Sequence, residues 1–475
     1  MKVIILGAGQ VGTSLATSLV HEEHDVTMVD KNESLLRELR ERLDIRTQVG
    51  SASFPHVLES AGIDDCDMLI AVTGSDEINM VACQVAATLY NTPERLARIR
   101  SSAYLARQSE LFHNDAIPIS GIISPEALVT QHIFRLIAHP GTLQVLDFAK
   151  GELQLIVVKA YYDGPLVGKA LREFKNHIPD VAARLVAIFR QNRAIIPDGE
   201  TIIEADDEVF ILATPKHIRT IISELRKLDK PYKQIMIAGG GSIGKRLAQQ
   251  LETARYQIKI LEHDAQRAAY LAESLDKTII LEGDAANESL LIEENIDKVD
   301  VFLALTNDDE ANIISAMLAK RLRAKRVISL INRYSYVDLV EDVGAIDIAV
   351  SPQQITMGAL LAKIRRGDIV AVHSLRRGAA EAIEVIAHGE FKTSRVIGRA
   401  IKDINLPPSS IIGAIIRNND KTKKKQQVIM ASSQVIIEEN DHIFIFLADK
   451  RYIPTIEKLF QVSVGFLGGF SLLGK

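Results

Sequence analysis

The sequence predicts an α/β protein made of two doubly wound parallel-sheet domains, each followed by a small α+β domain. Three observations carry this. The chain opens with strand, glycine-rich turn, helix, strand and acid, in that order. Strands then keep alternating with helices to about residue 139. Finally, the whole pattern begins again 232 residues later.

The first strand is the apolar run Lys2-Val3-Ile4-Ile5-Leu6, and Gly7-Ala8-Gly9-Gln10-Val11-Gly12 follows at once. Val11, Leu15 and Leu19 then recur every four residues along one helical face. A second strand, Val26 to Val29, ends in Asp30. This order is Rossmann-like. Gly7 allows the tight turn, Gly9 lets a pyrophosphate approach the backbone, and Gly12 lets the helix lie close to the strand. The helix start offers unpaired N–H groups and a partial positive charge to phosphates. Asp30 stands where a carboxylate accepts hydrogen bonds from both ribose hydroxyls, and its charge should exclude the 2′-phosphate of NADP.

Asn32 caps a second helix whose stripe of Leu35, Leu36, Leu39 and Leu43 should be buried. Ile45 to Val49 reads as the third strand, followed by Gly50-Ser51. Met68 to Val72 is the fourth, ending in Thr73-Gly74-Ser75-Asp76-Glu77, and a helix covers 78–90. Leu96 to Arg100 is the fifth strand and places Arg98 and Arg100 on one face. Ala116 to Ile119 is the sixth. Ligands of such sheets sit beyond the carboxyl ends of the strands, where Thr73 and the two arginines fall.

Ser124-Pro125 caps a helix from Glu126 to Ile137 that leaves this domain, and His139-Pro140-Gly141 ends it. The small unit of about 85 residues reads as a strand at 153–160, a short helix at 167–174, strands at 184–190 and 208–213, and a helix at 217–225. Its Asp198-Gly199 turn is architectural.

The repeat is residue-specific. Gly7, Gly9, Gly12 and Asp30 shift by 232 to Gly239, Gly241, Gly244 and Glu262. Gly240 stands for Ala8, and Ser242 and Ile243 for Gln10 and Val11. Gly50-Ser51 becomes Gly283-Asp284, and Thr73-Gly74 becomes Thr306-Asn307, both at 233. At that offset Arg100 maps to Arg333, and Arg98 to Ile331. The small domain recurs too, with Asp207-Glu208-Val209-Phe210 matching Asp441-His442-Ile443-Phe444. The expected domains are 1–139, 140–229, 230–366 and 367–460, with a tail at 461–475. Lys421 to Lys425 reads as a solvated hairpin tip.

Composition narrows the function classes. At ~150 residues per domain the length allows about three domains. A formal net charge of −5 gives no reason to expect nucleic acid. Two cysteines, Cys66 and Cys83, make no disulfide framework and fit a reducing compartment. The first strand starts at Lys2, which leaves no room for a signal peptide, and no apolar run reaches the ~20 residues needed to span a bilayer.

The two glycine loops, Thr73-Gly74 with Asp76-Glu77, Ala97-Arg98-Ile99-Arg100-Ser101, Thr306 to Asn312 and His373 to Gly378 are similar to those of the RCK (KTN) domains that regulate potassium transport. The tandem arrangement resembles the peripheral regulatory subunits of Trk-type potassium uptake. That resemblance implies a cytosolic regulator and not an enzyme. It implies a homo-oligomeric ring, a tetramer, beneath a membrane potassium transporter of the TrkH/TrkG type. It also implies regulatory binding of NAD, NADH, ATP or ADP at Gly7 to Gly12, Asp30, Ser51, Thr73, Gly74, Arg98 and Arg100. In the second half the same sites are Gly239 to Gly244, Glu262, Asp284, Thr306, Asn307 and Arg333. The competing readings are an NAD-dependent oxidoreductase with duplicated cofactor domains and a plain nucleotide-binding scaffold. Neither glycine loop has a His–Asp or Lys–His arrangement beside it, which weighs against the first.

Overall fold

A computed structural model describes residues 1–191, 193–342, 344–364, 369–375, 380–391, 393–418 and 426–461. The hairpin tip at Lys421 to Lys425, Arg376 to Gly378, and the tail after residue 461 therefore lie outside the described residues. The chain forms two compact units. One joins Met1–Ala138 with Pro231–Leu360, and the other joins His139–Lys230 with Leu361–Lys475.

In the first unit, residues 1–138 hold β1 (Lys2–Leu6), α1 (Gln10–His21), β2 (Asp25–Asp30), α2 (Glu33–Arg42), β3 (Arg46–Val49), α3 (Pro55–Ser60), β4 (Met68–Ala71), α4 (Asp76–Tyr90), β5 (Glu94–Arg98), α5 (Ser102–Ala106), α6 (Gln108–Leu111), β6 (Gly121–Ile123) and α7 (Pro125–Ala138). The sheet order is β3-β2-β1-β4-β5-β6, and every pairing is parallel. The order reverses between β1 and β4, the switch point at which sheets of this kind bind their ligands. After the exposed Lys2, β1 is wholly apolar because both faces are covered, with Val3, Ile4, Ile5 and Leu6 at 2 % exposure or less.

Three local readings need correction. The sixth strand is Gly121–Ile123, not 116–119, because Pro118 has no N–H for a ladder and its carbonyl accepts from Arg95 Nε instead. Leu35 is exposed and Leu43 only half-buried, so the stripe of α2 narrows to Leu36 and Leu39. Ser124 does not cap α7 with its side chain, since its buried hydroxyl has no partner.

Residues 234–364 repeat the pattern as β12 to β17 and α10 to α15, after the small-domain elements that take the intervening numbers. They are β12 (Gln234–Ala238), α10 (Ser242–Thr253), β13 (Gln257–Glu262), α11 (Ala265–Ser274), β14 (Ile279–Glu282), α12 (Glu288–Glu293), β15 (Val301–Ala304), α13 (Asp309–Arg321), β16 (Arg326–Leu330), α14 (Tyr334–Asp342), β17 (Ile348–Val350) and α15 (Pro352–Ile364). The order is again β14-β13-β12-β15-β16-β17. The last helix of each repeat crosses to the other. Val129, Ile133, Leu136 and Ile137 of α7 join the core of Ile235, Ile237, Leu247 and Leu251. Gln353 at the start of α15 donates to Ser14 of α1.

In the second unit the first small domain contains β7 (Thr142–Phe148), β8 (Leu153–Lys159), α8 (Phe174–His177), β9 (Ala183–Arg190), β10 (Arg193–Ile195), β11 (Glu208–Ala213) and α9 (Ile218–Leu225). β7 has no counterpart in the sequence reading. The helix expected at 167–174 shrinks to α8, because Gly168 turns at φ 83° and residues 168–171 bond to the 201–203 segment. The second small domain contains β18 (Ile369–Leu375), β19 (Ala380–Ile386), β20 (Ser410–Asn418), β21 (Gln426–Met430), β22 (His442–Leu447) and α16 (Ile453–Phe460). Both sheets are antiparallel, ordered β10-β9-β11-β8-β7 and β18-β19-β22-β20-β21. Phe148, Phe189, Phe210, Phe444 and Phe446 share one core, and the rings of Phe148 and Phe444 meet edge-on at 5.2 Å. Each sheet carries the same buried lock: Arg190 binds Asp207 through two nitrogens at 2.8 Å, and Arg417 binds Asp441 the same way.

Candidate nucleotide-binding sites

The first glycine loop is fixed by close approach. Gly7 has φ 108°, its N–H donates to Val29 O at 2.8 Å, and a Cβ there would stand 3.1 Å from Thr73 backbone atoms. A Cβ on Gly12 would stand 1.9 Å from Gly7 O, so only glycine lets α1 lie against the turn. Gly9 differs: a Cβ would meet nothing within 4 Å. That open space above the start of α1 is where the leading N–H groups, those of Gln10, Val11 and Gly12, lack intrahelical acceptors. It is the form an anion cradle takes.

The acid that ends β2 is held in place. Asp30 accepts from Ala8 N at 2.7 Å with one oxygen and from Asn32 N at 2.8 Å with the other. A cavity of about 320 Å³ opens beside it, lined by Gly7, Asp30, Lys31, Gly50, Thr73 and Gly74 among others. Ser51 lies between the lining residues Gly50 and Ala52.

Behind the lining, Asn79 and Asp76 brace the ends of β4 and β5, a role the sequence reading did not assign. Fully buried Asn79 accepts from Thr73 N and Oγ1 at 3.0 and 2.7 Å and donates to Arg98 O at 2.9 Å. Asp76 accepts from the N–H groups of Arg100 and Ser101 at 2.9 and 2.8 Å. The recurrence of both residues in the repeat was the available signal.

Arg98 and Arg100 do not share a strand face. β5 ends at Arg98, and the two side chains diverge. Arg98 lies 3.8 Å from Glu126 of α7 and is largely buried; that burial lowers its guanidinium below its ordinary value. Arg98 Nε, Glu126 Oε2 and Ser124 Oγ are all buried without partners. Arg100 is exposed and donates to Gly74 O at 3.0 Å, on the cavity lining.

The second site repeats the loop. Gly239 has φ 104° and donates to Leu261 O at 2.9 Å; a Cβ on Gly244 would stand 2.1 Å from Gly239 O, and one on Gly241 would meet nothing within 4 Å. Ser242 and Ile243 begin α10. Glu262 accepts from Gly240 N at 2.8 Å and Asp264 N at 3.1 Å. Asn312 holds Thr306 as Asn79 holds Thr73, at 2.8 and 2.7 Å. Asn307 and Asp284 are exposed at the strand ends.

The strand pairing corrects the alignment of the arginines. Ala71 pairs with Ala97, whereas its counterpart Ala304 pairs with Ser329. Asp309 takes the N–H groups of Asn332 and Arg333, where Asp76 takes those of Arg100 and Ser101. The offset here is 232, so Arg98 corresponds to Leu330, Arg100 to Asn332, and Arg333 to Ser101. Arg333 points to Glu310 and Tyr336, at 3.1 and 2.9 Å.

Comparison with known proteins agrees with this architecture. The family model described as the TrkA-N domain matches residues 3–125 and 235–352, and the TrkA-C domain model matches 155–226. The chain is 56% identical over 466 residues to the Trk system potassium uptake protein TrkA of Halomonas elongata, covering 98% of this chain and 100% of that one. It is also 56% identical to the protein of that name from Vibrio alginolyticus over 467 residues, with the same coverage. Among solved structures, the GsuK RCK domain shares the fold at a TM-score of 0.61 and 18% identity, covering 97% of this chain and 94% of that one. The GsuK channel bound to NAD does so at 0.59 and 17%, covering 97% and 78%. The chain belongs to the family of Trk system potassium uptake proteins TrkA.

Proposed function

We propose that this chain is the nucleotide-binding regulatory subunit of a Trk-type potassium uptake system, a gating ring and not an enzyme. Two matched glycine cradles in one chain, each open only above its middle glycine, are the observation that carries the reading. Membership of the TrkA family supports the potassium link. Among the described residues no helix is long and apolar enough to cross a membrane. In this reading the chain acts on a membrane partner of the TrkH/TrkG type, from the cytosolic face, as a homotetramer.

NAD or NADH and ATP or ADP are the proposed ligands. In the first site the pyrophosphate rests on Gly7 to Gly12, the ribose on Asp30, and the remainder near Ser51, Thr73, Gly74, Arg98 and Arg100. In the second the same parts fall to Gly239 to Gly244, Glu262, Asp284, Thr306 and Asn307. Arg333 leaves this set, since it occupies the place of Ser101. The proposed domains remain 1–139, 140–229, 230–366 and 367–460.

A ligand moves such a ring only by binding one shape better than another. The crossed helices α7 and α15 are the proposed levers, because each ties one nucleotide domain to the core or glycine helix of the other. The coupling is reciprocal: if ATP favours the open partner, the open partner binds ATP more tightly. The test is potassium flux through the reconstituted transporter, with and without this chain, while ATP, ADP and NADH are varied. Flux that ignores the chain and every nucleotide would defeat the proposal.

A further inference from the structure

We infer that the two sites take different ligands, a nucleoside triphosphate in the first and a dinucleotide of the NAD type in the second. This deepens the nucleotide-site reading and rests on it.

The sheet order lays the ligand out. The ribose acid ends β2, the phosphate cradle follows β1, and the rest of the ligand runs past β4 toward β5. The end of β5 therefore meets either the terminal phosphate of a triphosphate or the second nucleoside of a dinucleotide. In the first site Arg100 stands there, exposed, with one guanidinium nitrogen on Gly74 O. Arg98 lies behind it against Glu126. Lys31 lines the ribose end of the same cavity. This site presents cations at both ends of the phosphate chain.

In the second site the distal cations are gone. Leu330 is buried, and the amide of Asn332 donates to Asp309 Oδ1 at 3.0 Å. Arg333 is engaged by Glu310 and Tyr336. A terminal phosphate would find no uncommitted guanidinium among these residues, whereas a nucleoside brings no charge that needs one.

Here the cations stand at the adenosine end. Arg267 Nε donates to Gly240 O at 2.9 Å, and its guanidinium lies 5.0 Å from the Tyr270 ring. Lys245 stands 4.1 Å over the same ring and donates to its hydroxyl at 2.6 Å. The first half has Thr13, Leu35 and Glu38 at these places. The stack ties α11 to the glycine loop beside Glu262. The second site thus holds the adenosine and pyrophosphate that both ligand classes share, and the absence of a cation at Leu330 and Asn332, at the end of β16, is what favours a dinucleotide there.

The experiment is calorimetric titration of the full chain with ATP and with NADH, repeated on Gly9→Val and Gly241→Val. Both glycines have ordinary φ, −71° and −63°, and open space around the Cβ position. A new side chain there obstructs the ligand and spares the fold, which circular dichroism checks. Gly9→Val should weaken ATP at least ten-fold and leave NADH alone, and Gly241→Val should do the reverse. Arg100→Asn, which copies the second half, should weaken ATP about ten- to hundred-fold. If one glycine variant abolishes both ligands, or if both ligands survive both variants, the assignment is overturned while nucleotide binding stands. If neither nucleotide binds the unmodified chain, the broader reading falls with it.

Discussion

The two halves of the chain agree in the glycine loops and at the ends of β2 and β4, and part company past the end of β5. Gly12 and Gly244 meet the same carbonyl, Asp30 and Glu262 accept the same pair of backbone N–H groups, and Asn79 and Asn312 clasp the same threonine. Past β5 and β16 the halves part. One residue fewer separates Asp309 from Asn332 than separates Asp76 from Arg100, and the arginine pair has no counterpart in the second half. A duplicated fold can thus keep one cradle and present two different charge patterns to a ligand, because the residues at strand ends are not needed for the sheet.

The largest expected effect tests where the halves are alike. Arg190→Met strands Asp207, 1 % exposed, as an unpaired buried charge, and Arg417→Met does the same to Asp441. Each should cost about 3–5 kcal/mol in urea unfolding. A clear inequality between them would break the likeness of the small domains.

Next come the ribose acids. Asp30→Ala and Glu262→Ala should each weaken nucleotide at their own site by about 1.5–3 kcal/mol. Unchanged affinity in either variant would remove that acid from the site. Gly12→Ala and Gly244→Ala should each destabilise by about 1–3 kcal/mol, since the added carbon overlaps a carbonyl oxygen. Gly9→Ala, with free space, should stay within about 0.5 kcal/mol. Equal losses at Gly9 and Gly12 would refute the open cradle.

The Arg98–Glu126 pair sharpens the difference between the halves. Arg98→Leu alone leaves Glu126 buried without its cation and should cost roughly 1–3 kcal/mol. Adding Glu126→Gln reproduces the Leu330 and Gln353 combination of the second half and should recover most of that loss in a double-mutant cycle. Additive losses would show that the two residues act separately.

The smallest effect is on acid stability. Burial alone would raise Asp300, but the bond from Lys325 and those from the N–H groups of Gln234 and Lys233 outweigh it and hold the carboxyl below its ordinary 3.8. A carboxyl with a lowered folded value stabilises above 3.8 and loses that contribution as pH falls below it. Lys325→Met should therefore bring acid unfolding to a slightly higher pH. No change would mean that the backbone N–H groups alone hold Asp300.

Much of this molecule was legible because its signals are local or repeated. Glycines that meet a backbone oxygen cannot be replaced without movement, so the loop reads directly from sequence. The α2 stripe was legible only in part. Periodicity gives the direction of a face but not its width, so Leu35 went wrongly into the core. The sixth strand was misplaced because an apolar run containing Pro118 looks like a strand until its hydrogen bonds are counted. Strand β7 was missed because its apolar residues, Leu143 and Val145 and then Leu146 and Phe148, change phase between 145 and 146, so no single alternation runs through it.

The sequence by itself determined the duplicated architecture, the two cradles, their acids and the family, since each rests on residue type at a set spacing along the chain. Only the tertiary structure decided which residues of one half answer to which of the other. A single-residue change between α13 and β16 shifts the register, and a linear offset cannot locate it, whereas the backbone N–H groups bound by Asp76 and Asp309 can. The pairing of Arg98 with Glu126 and the stacking of Lys245 and Arg267 on Tyr270 were likewise decided in three dimensions. Arg98 and Glu126 belong to different elements that meet only when the sheet closes, and Lys245 meets Tyr270 only when α10 and α11 come to lie side by side.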